Sequence, residues 1–368
     1  MTSRFLRLGI VFLFLCTFSA FASSDPAVTV SILSILQPKQ ISLTLFSANA
    51  AAVQTEDGQL ILPAKLRIDL RIRGDRLYWL DQSRAARSMY FTCQDACEWE
   101  VCIADRINRR YTGNLRISIL NSTMNIVLEP NETEMLSSIT ASEMGEFRNP
   151  EALKAFAVVA RSFLRGPPRH PERGADFCDT THCQVFQSYR ATPEARKAVQ
   201  ETSGLILTYR ENPFRPFYSR SCGGTTATHE EVWHQPAPDY PFASVTCPCN
   251  TSWTTSIHNL QIKSLTGFTP AQIKCASAGI EIQGNGKTAL YNYENFRILL
   301  GRQIGWNEVK SNWFDANLRG DHIIFSGKGI GHRVGFCQTG ADTLAGMGQS
   351  FQNILSRYFP GTEIRLNQ

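Results

Sequence analysis

The stretch SEMGEFRNPEALKAFAVVARS at residues 142–162 lies in the helical half of this chain and follows a segment with helical spacing from Glu134 to Ser142. Asn149 followed by a proline predicts a helix start, because Asn caps free N–H groups and Pro tolerates the first helical position. Apolar residues then recur on one face from Ala152 to Phe163. The run GPP at residues 166–168 ends the pattern. The stretch therefore predicts an amphipathic helix with a carboxylate, Glu143, just ahead of it.

Further elements follow downstream. A second helix is predicted from Pro193 to Thr202 with a stop at Gly204, and two strands at Leu205–Tyr209 and Pro216–Ser219. A glycine-rich turn at 326–335, which includes the start of GHRVGFCQTGA (331–341), leads into a helix from about Gln338. A last helix is predicted between Ser350 and Tyr358. Residues 255–320 show no decisive pattern.

The part of the chain before this half is rich in strand patterns. Leu66–Ile72 alternates aliphatic and charged residues, and Leu115–Leu120 repeats the alternation after the turn-like Tyr111–Asn114. We therefore expect an α+β fold with a β-rich N-terminal module at 23–129, a small sheet or barrel, followed by a mixed α+β domain at 130–368.

The N-terminus has the features of a targeting segment. Arg4 and Arg7 precede the apolar run Leu8–Phe18, and Ala20-Phe21-Ala22 is a small-x-small cleavage site. We expect a signal peptide at 1–22, export to the periplasm, cell envelope or exterior, and no transmembrane segment afterwards. Bulky residues before Cys16 disfavour lipidation. The net charge of +5 favours an anionic wall polymer mildly, and the absence of dense basic runs argues against nucleic acid.

Cysteines fall into clusters along the exported part. Cys178, His182 and Cys183 lie within six residues, a spacing that suits one tetrahedral Zn²⁺, although a Cys178–Cys183 disulfide is equally compatible. We expect a disulfide staple among Cys93, Cys97 and Cys102. Disulfides are also the favoured interpretation of the set Cys222, Cys247, Cys249 and Cys337, with a second metal site as the alternative. Cys275 stands apart from these groups.

Several ordered blocks resemble the SpoIID/LytB domain family, which acts on bacterial cell-wall glycan. The family pattern Glu-Met-Pro, a spacer and Pro-x-Glu-Ala-Leu-Lys-Ala is similar to residues 143–155. Further similar blocks are CQVF (183–186), AVQETSG (198–204), YSRSCGGTT (218–226), EEVW (230–233), GHRVGFCQTGA (331–341) and ILSRYFPGT (354–362). Together they cover roughly residues 111 to 364 in the family's order. This chain departs from the pattern at Gly145, Phe156 and Arg333.

The resemblance implies a lytic transglycosylase that cleaves MurNAc–GlcNAc bonds in denuded peptidoglycan strands, with Glu143 as the general acid and base. One carboxyl group protonates the leaving oxygen and then accepts the proton of the sugar's 6-hydroxyl, which gives a 1,6-anhydro product without a second carboxylate. The resemblance also implies zinc at the Cys178–Cys183 loop, where the metal supports the loop rather than activating water.

Substrate contacts are predicted around the two glycine-rich blocks. Ser221, Gly223 and Gly224 allow a tight turn near the substrate, and Thr225, Thr226 and Gln338 offer hydrogen bonds. His332 either orients a ligand or holds its own turn. Tyr218 and Trp233 either stack on sugar faces or pack in the interior.

Other functions remain open from the sequence. The chain is alternatively a non-enzymatic amidase enhancer or glycan-binding protein of the same family, with a cell-wall amidase as partner. A metal-dependent hydrolase built on Cys178, His182 and Cys183 is a further rival, and loss of activity in chelator with Glu143 intact would favour it.

Overall fold

A computed structural model describes residues 28–47, 49–79, 84–93, 97–237, 239–277 and 279–367 of the chain. The predicted signal peptide at 1–22 and Cys16 lie outside these residues. Helices and strands both contribute extensively, which confirms the mixed α+β class. Within the described ranges, none of the helices combines the length and the apolarity needed to cross a bilayer.

Strands dominate up to residue 130, where alternating side chains place one face in the core. They are β1 (Val30–Ile32), β2 (Gln40–Leu45), β3 (Ala51–Thr55), β4 (Gly58–Leu62), β5 (Arg67–Arg73), β6 (Arg76–Trp79), β7 (Ala85–Ala86), β8 (Ser88–Cys93), β9 (Glu98–Ile103), β10 (Ile107–Leu120) and β11 (Thr123–Pro130). The alternation of β5 is visible in its burial, with Ile68 and Leu70 buried between exposed or partly exposed arginines and Asp69.

The remaining strands are shorter. They are β12 (Phe177–Cys178), β13 (Leu205–Tyr209), β14 (Asn212–Pro213), β15 (Tyr218–Ser219), β16 (Ser252–His258), β17 (Gln272–Ala276), β18 (Gly279–Gly284), β19 (Lys287–Tyr291), β20 (Phe314–Arg319), β21 (His322–Lys328), β22 (Phe336–Cys337) and β23 (Glu363–Leu366).

The helices follow the first eleven strands. They are α1 (Glu132–Met144), α2 (Pro150–Phe163), α3 (Pro193–Glu201), α4 (His229–Trp233), α5 (Asn259–Thr266), α6 (Tyr293–Ile304), α7 (Gln338–Gly346) and α8 (Phe351–Tyr358). The predicted start of α2 is confirmed, since the Asn149 side chain accepts a hydrogen bond from the Glu151 N–H and Pro150 occupies the first helical position.

The predicted turn at Tyr111–Asn114 is wrong, because β10 runs through it as one strand. Gly113 permits the bend with φ 138°, and a Cβ there would lie 2.2 Å from the Glu129 carbonyl oxygen. Before this glycine β10 pairs with β9, and from it onward β10 pairs with β11 and β8. The glycine therefore lets one strand change partners and curl the sheet.

The large sheet contains twelve strands among the described residues, in the order β12-β1-β11-β10-β9-β2-β5-β6-β7, with β3, β4 and β8 branching from β10. The outermost strand, β12, comes from beyond α2 and pairs in parallel with β1. The loop that carries Cys178 and His182 is thereby tied to the start of the described chain. The domain division at residue 130 stays a prediction.

Two hydrophobic cores are present among the described residues. The larger contains side chains from the sheet and from α1, α2, α3, α7 and α8, between Val30 and Phe359. The smaller lies entirely between Trp253 and Phe325. It fills the space among two three-stranded sheets, β16-β21-β20 and β17-β18-β19, with α5 and α6. We call residues 252–328 the insert.

Candidate functional site

Glu143 lies at the penultimate position of α1. The helix starts at Asn131, whose side chain accepts a hydrogen bond from the Glu134 N–H, and ends at Gly145. Gly145 has φ 60°, a conformation closed to proline, whose ring fixes φ near −65°. The departure from the family's Glu-Met-Pro therefore changes how the chain leaves the helix that carries Glu143.

Two hydrogen bonds hold the Glu143 carboxyl group, and both end on Oε1. The Val185 backbone N–H donates at 2.7 Å, and the Tyr218 hydroxyl donates at 3.0 Å. Among the described residues, no hydrogen bond of ordinary geometry ends on Oε2. The carboxyl group is therefore oriented through one oxygen, while the second is available to exchange a proton with a ligand.

Burial raises the pKa of Glu143, and the hydrogen bonds from Val185 and Tyr218, together with the nearby Gln338 side chain, oppose this rise. The residue as a whole is partly exposed, but the atoms around the carboxyl group displace enough water for desolvation to dominate. A general acid needs a carboxyl group that stays protonated closer to neutral pH than a free one does. The environment of Glu143 raises its pKa, which is the direction that a general acid requires.

Tyr218 is held beside Glu143 by the parallel pairing of β15 with β22. Burial and the neighbouring Glu143 raise the pKa of Tyr218 well above its ordinary value, so the hydroxyl stays protonated and donates. The Phe156 ring, at one of the positions where the chain departs from the family pattern, meets the Tyr218 ring edge to face at 5.0 Å. Sugar stacking by Tyr218 stays a prediction, while its bond to Glu143 gives it a second role.

Two buried glutamines lie near this carboxyl group with side-chain atoms that lack partners. Both amide atoms of Gln184 and the Nε2 of Gln338 make no hydrogen bond of ordinary geometry. Gln184 directly precedes Val185 and influences Tyr218, and Gln338 influences Glu143. Buried amides without partners are rare unless a ligand or water satisfies them. Sequence reasoning predicted Gln338 but missed Gln184, since nothing in the CQVF block marks its amide.

The structure brings Cys178, His182 and Cys183 together and adds His170, which sequence reasoning missed. Their ligand atoms all lie within 4.8 Å of one another. Cys183 Sγ is 3.5 Å from His170 Nε2 and 3.6 Å from His182 Nδ1, and Cys178 Sγ is 3.8 Å from His182 Nδ1. Neither cysteine is in a disulfide.

This donor set fits one zinc ion. Tetrahedral zinc with ordinary Zn–S and Zn–N bonds would separate sulfur from nitrogen by about 3.5 Å, close to the distances found. The other ring nitrogen of His170, Nδ1, lies 3.3 Å from a Glu172 carboxylate oxygen, which is the usual way to orient a histidine ligand. The loop ends two residues before Val185, so it also positions the N–H that binds Glu143.

The glycine-rich block after β15 is mostly engaged with other protein atoms. The buried Ser221 hydroxyl donates to Thr251 Oγ1 at 2.8 Å, and Thr226 Oγ1 donates to the Ala243 carbonyl at 3.1 Å. Gly223 is buried and Gly224 partly buried, both with positive φ, and Thr225 forms a bridge with Thr246. These contacts give the block a structural role, and its predicted contact with substrate stays a prediction.

His332 and Trp233 pack together at 5.3 Å between ring centroids. Burial lowers the pKa of His332 to about 4, and its Nδ1 accepts a hydrogen bond from the Val334 N–H at 3.1 Å. This neutral ring therefore holds its own turn, and the predicted contact of His332 with a ligand stays a prediction. Arg333 donates from Nε to Asn312 Oδ1 at 3.0 Å and lies over the Trp313 ring.

The disulfide predictions have a mixed outcome. Cys93 and Cys97 are bonded, as expected for a loop staple, and Cys102 is not part of the bond. Cys222, Cys247, Cys249 and Cys337 meet as expected, but no disulfide joins any of them. The disulfides that the sequence favoured for these four cysteines are therefore wrong for this structure.

Comparisons with known proteins identify the family that this chain resembles. A family model described as "Stage II sporulation protein" (SpoIID) matches residues 121–209, the segment that contains Glu143 and the Cys178–Cys183 loop. The chain is 29% identical over 278 residues to "Stage II sporulation protein D" of Bacillus subtilis (strain 168), covering 66% of this chain and 76% of that protein. The protein of the same name from Bacillus amyloliquefaciens is 30% identical over 276 residues, with the same coverage, 66% and 76%.

A third similar protein has a different name. The chain is 26% identical over 286 residues to "Amidase enhancer" of Bacillus subtilis (strain 168). The match covers 62% of this chain but only 40% of that protein, which is therefore much longer than the shared part.

Proposed function

Because the chain belongs to the SpoIID/LytB family, we propose that it is an exported peptidoglycan lytic transglycosylase that cleaves MurNAc–GlcNAc bonds in denuded glycan strands. The observation that carries the proposal is the Glu143 carboxyl group, whose pKa is raised by burial and whose Oε1 is fixed by Val185 and Tyr218. Such a group is suited to donate one proton and then take one back.

The reaction needs only this carboxyl group. Glu143 donates its proton to the glycosidic oxygen, and the C1–O bond of the MurNAc residue breaks to leave a GlcNAc hydroxyl. The 6-hydroxyl of the same MurNAc then forms a bond to its own C1. Its proton passes to Glu143, which restores the starting state and gives a 1,6-anhydro end. The proposal assigns hydrogen bonds with sugar hydroxyl groups to the unpartnered Gln184 amide and Gln338 Nε2, and these bonds require the substrate to reach atoms that are buried in the free protein.

Zinc at His170, Cys178, His182 and Cys183 would serve as a cross-link of the loop. Structural zinc sites have four protein ligands, whereas hydrolytic sites keep a position open for water. The presence of a fourth protein ligand, His170, argues against the metal-dependent hydrolase. The role of these residues in our proposal is to hold the Val185 N–H against Glu143.

The test is a digest of amidase-stripped glycan strands by the purified protein, analysed by mass spectrometry. Anhydro-ended fragments from the wild type, lost by about 10²–10⁴-fold in Glu143→Gln, would support the proposal. Glu230→Gln, at an exposed glutamate of α4, is the matched control and should cleave as the wild type does. Hydrated ends, or activity that persists in Glu143→Gln but disappears in chelator, would contradict it.

The similarity to an amidase enhancer supports a second function, stimulation of a cell-wall amidase partner without glycan cleavage. It is tested by adding the protein to an amidase acting on intact peptidoglycan. Equal stimulation by wild type and Glu143→Gln, with no anhydro products from either, would favour this function over the transglycosylase.

A further inference from the structure

Four cysteines from three separate segments meet in the interior of the protein. Cys222 follows β15, Cys247 and Cys249 precede the insert, and Cys337 ends β22 at the start of α7. Cys249 Sγ lies 3.3 Å from Cys222 Sγ, 3.5 Å from Cys247 Sγ and 3.8 Å from Cys337 Sγ. All four sulfurs lie within 4.8 Å of one another. We call this group the tetracysteine cluster.

The spacing of these sulfurs fits a single tetrahedral ion. Four thiolates bound to zinc at ordinary Zn–S distances would be separated from each other by about 3.8 Å. A pair of disulfides would instead require each sulfur to lie at about 2.0 Å from one partner and far from the others. An iron–sulfur cluster occupies the space between its thiolates with its own atoms, so it needs a wider set than this one. We propose that the tetracysteine cluster binds one structural zinc ion, distinct from the site at His170 and Cys178.

The surroundings of the tetracysteine cluster suit thiolates rather than thiols. The N–H groups of Cys222 and Gly340 each approach Cys337 Sγ at 3.3 Å. Four thiolates with one Zn²⁺ carry excess negative charge, and N–H and O–H donors around a metal site stabilise such charge. The Tyr358 hydroxyl supplies a further contact, 3.1 Å from Cys247 Sγ.

Gly340 explains how the segments approach so closely. A Cβ at this position would lie 2.1 Å from Cys247 Sγ and 3.4 Å from Cys337 Sγ. Only glycine leaves room for Cys247 beside the first turn of α7. The glycine at position 340 therefore leaves the space that the sulfur atoms of Cys247 and Cys337 need in order to lie close together.

The position of the tetracysteine cluster indicates what the zinc does. Cys222 lies four residues after Tyr218, and Cys337 directly precedes Gln338, so two ligands are continuous with side chains around Glu143. Cys247 and Cys249 lead into β16, the first strand of the insert. One ion would thus fix the β15–β22 pair and attach the base of the insert to it. All four positions are filled by protein, so the zinc has a structural role.

The experiment measures zinc per chain by elemental mass spectrometry on purified protein. We expect two zinc ions in the wild type and one in Cys249→Ser and in Cys222→Ser. His182→Ala should also retain one ion, and the double variant His182→Ala with Cys249→Ser none. Cys102→Ser and Cys275→Ser, at cysteines outside both groups, should retain two.

A second measurement on the wild type covers the case in which a variant does not fold. The protein is denatured in chelator without reductant, alkylated and mapped by peptide mass spectrometry. Every member of the tetracysteine cluster should be alkylated as a free thiol. A disulfide between any two of them, iron in place of zinc, or an unchanged zinc content in folded Cys249→Ser would overturn the proposal.

Discussion

At the scale of single residues, the two oxygens of Glu143 have different surroundings. Oε1 accepts both hydrogen bonds of ordinary geometry, and both donors come from segments far from α1 in sequence. Donors stabilise the charged form of the carboxyl group, while desolvation destabilises it more. The balance between them sets the pH at which the proposed acid loses its proton.

Tyr218→Phe should reduce turnover and shift the pH profile. It removes a hydrogen bond to a charged group, worth about 1.5–3 kcal/mol, so we expect kcat to fall by about 10- to 100-fold. In the wild type, the hydrogen bond from Tyr218 lowers the pKa of Glu143. Because Tyr218→Phe removes this bond, the pKa of Glu143 should rise and the alkaline limb of kcat/KM should move to higher pH. Kinetics on denuded glycan across a pH series measures both effects.

Tyr90→Phe is the matched control, because that hydroxyl also donates to a glutamate, Glu129 Oε2 at 2.6 Å, but in the large sheet. It should leave the pH profile unchanged. An unchanged alkaline limb in Tyr218→Phe would contradict the assignment of that limb to Glu143.

Glu143 should also make stability depend on pH. Its pKa in the folded state is raised above the ordinary value of 4.5. At a pH between 4.5 and this raised pKa, the folded chain binds a proton at Glu143 that the unfolded chain has released. Stability therefore falls as pH rises through this window. The free energy of unfolding of Glu143→Gln, relative to that of the wild type, should therefore increase from acid to neutral pH. Urea titrations across this pH range measure the difference. Exposed Glu230→Gln should not show this gain, and a constant difference for Glu143→Gln would refute the sign.

Sequence reasoning singled out Glu143 and Gln338 as candidates because family-like blocks mark them, but it missed His170 and Gln184. His170 lies outside the short Cys178–Cys183 cluster, and it reaches Cys183 through the turn closed by its bridge with Ala175. Gln184 becomes notable only once its burial and lack of partners are known. These are properties of tertiary packing, which no local pattern contains.

At the scale of elements, a buried arginine joins α2 to α3. Arg161 donates from Nη1 to the Thr202 and Leu205 carbonyls at 2.8 and 3.0 Å, and from Nη2 to the Val199 carbonyl at 3.2 Å. Val199 lies in the last turn of α3, Thr202 follows the end of that helix and Leu205 begins β13, so the guanidinium ties the junction between α3 and β13 to α2. Burial lowers the pKa of Arg161 to about 10, which still leaves it charged at neutral pH.

Arg161→Met should destabilise the protein by about 3 kcal/mol, because two buried carbonyls and one partly buried carbonyl would lose a charged donor. Chemical denaturation measures this change, and the folded fraction should keep the wild-type pH profile. Lys197→Met on the exposed side of α3 is the control, with an expected change within about 0.5 kcal/mol. A similarly small effect for Arg161→Met would show that water replaces the lost donor.

Elements with a strong local pattern were predicted closely, and those defined by distant partners were not. The predicted helix Pro193–Thr202 corresponds to α3, and Leu205–Tyr209 is β13. Strand β23 was not predicted, since its only described partner is β13, more than 150 residues earlier. In the insert, β17 and β19 have no fully buried residue, so their periodicity gives little signal.

At the scale of the whole molecule, the two hydrophobic cores are separate sets of side chains. The larger core joins residues from both sides of residue 130; for example, Tyr111 of β10 packs against Phe186 at 6.1 Å between ring centroids. The smaller core is confined to the insert. We therefore expect the sheet and the α1–α3 region to unfold together and the insert to open independently.

Phe296→Ala should test this independence. The side chain is fully buried in the smaller core, and its truncation should cost about 3–5 kcal/mol locally. Hydrogen exchange with mass spectrometry should show faster exchange within residues 252–328 and little change in β8 to β11. Phe91→Ala in the larger core should give the reverse pattern. Uniform acceleration across the chain by either variant would mean that the cores unfold as one unit.

The pairing of β12 with β1 affects how the chain can fold while it is being synthesised. Thr29 binds Asp176 through its N–H and its hydroxyl across 147 residues of chain, and Leu33 N–H binds Asp179 across 146. A ribosome or export channel that releases the chain from its N-terminus therefore delivers β1 long before its outer neighbour exists. During that interval β1 has an open edge, the kind of surface on which strands of other chains assemble. A nascent chain that stops before residue 178 would keep that edge open permanently.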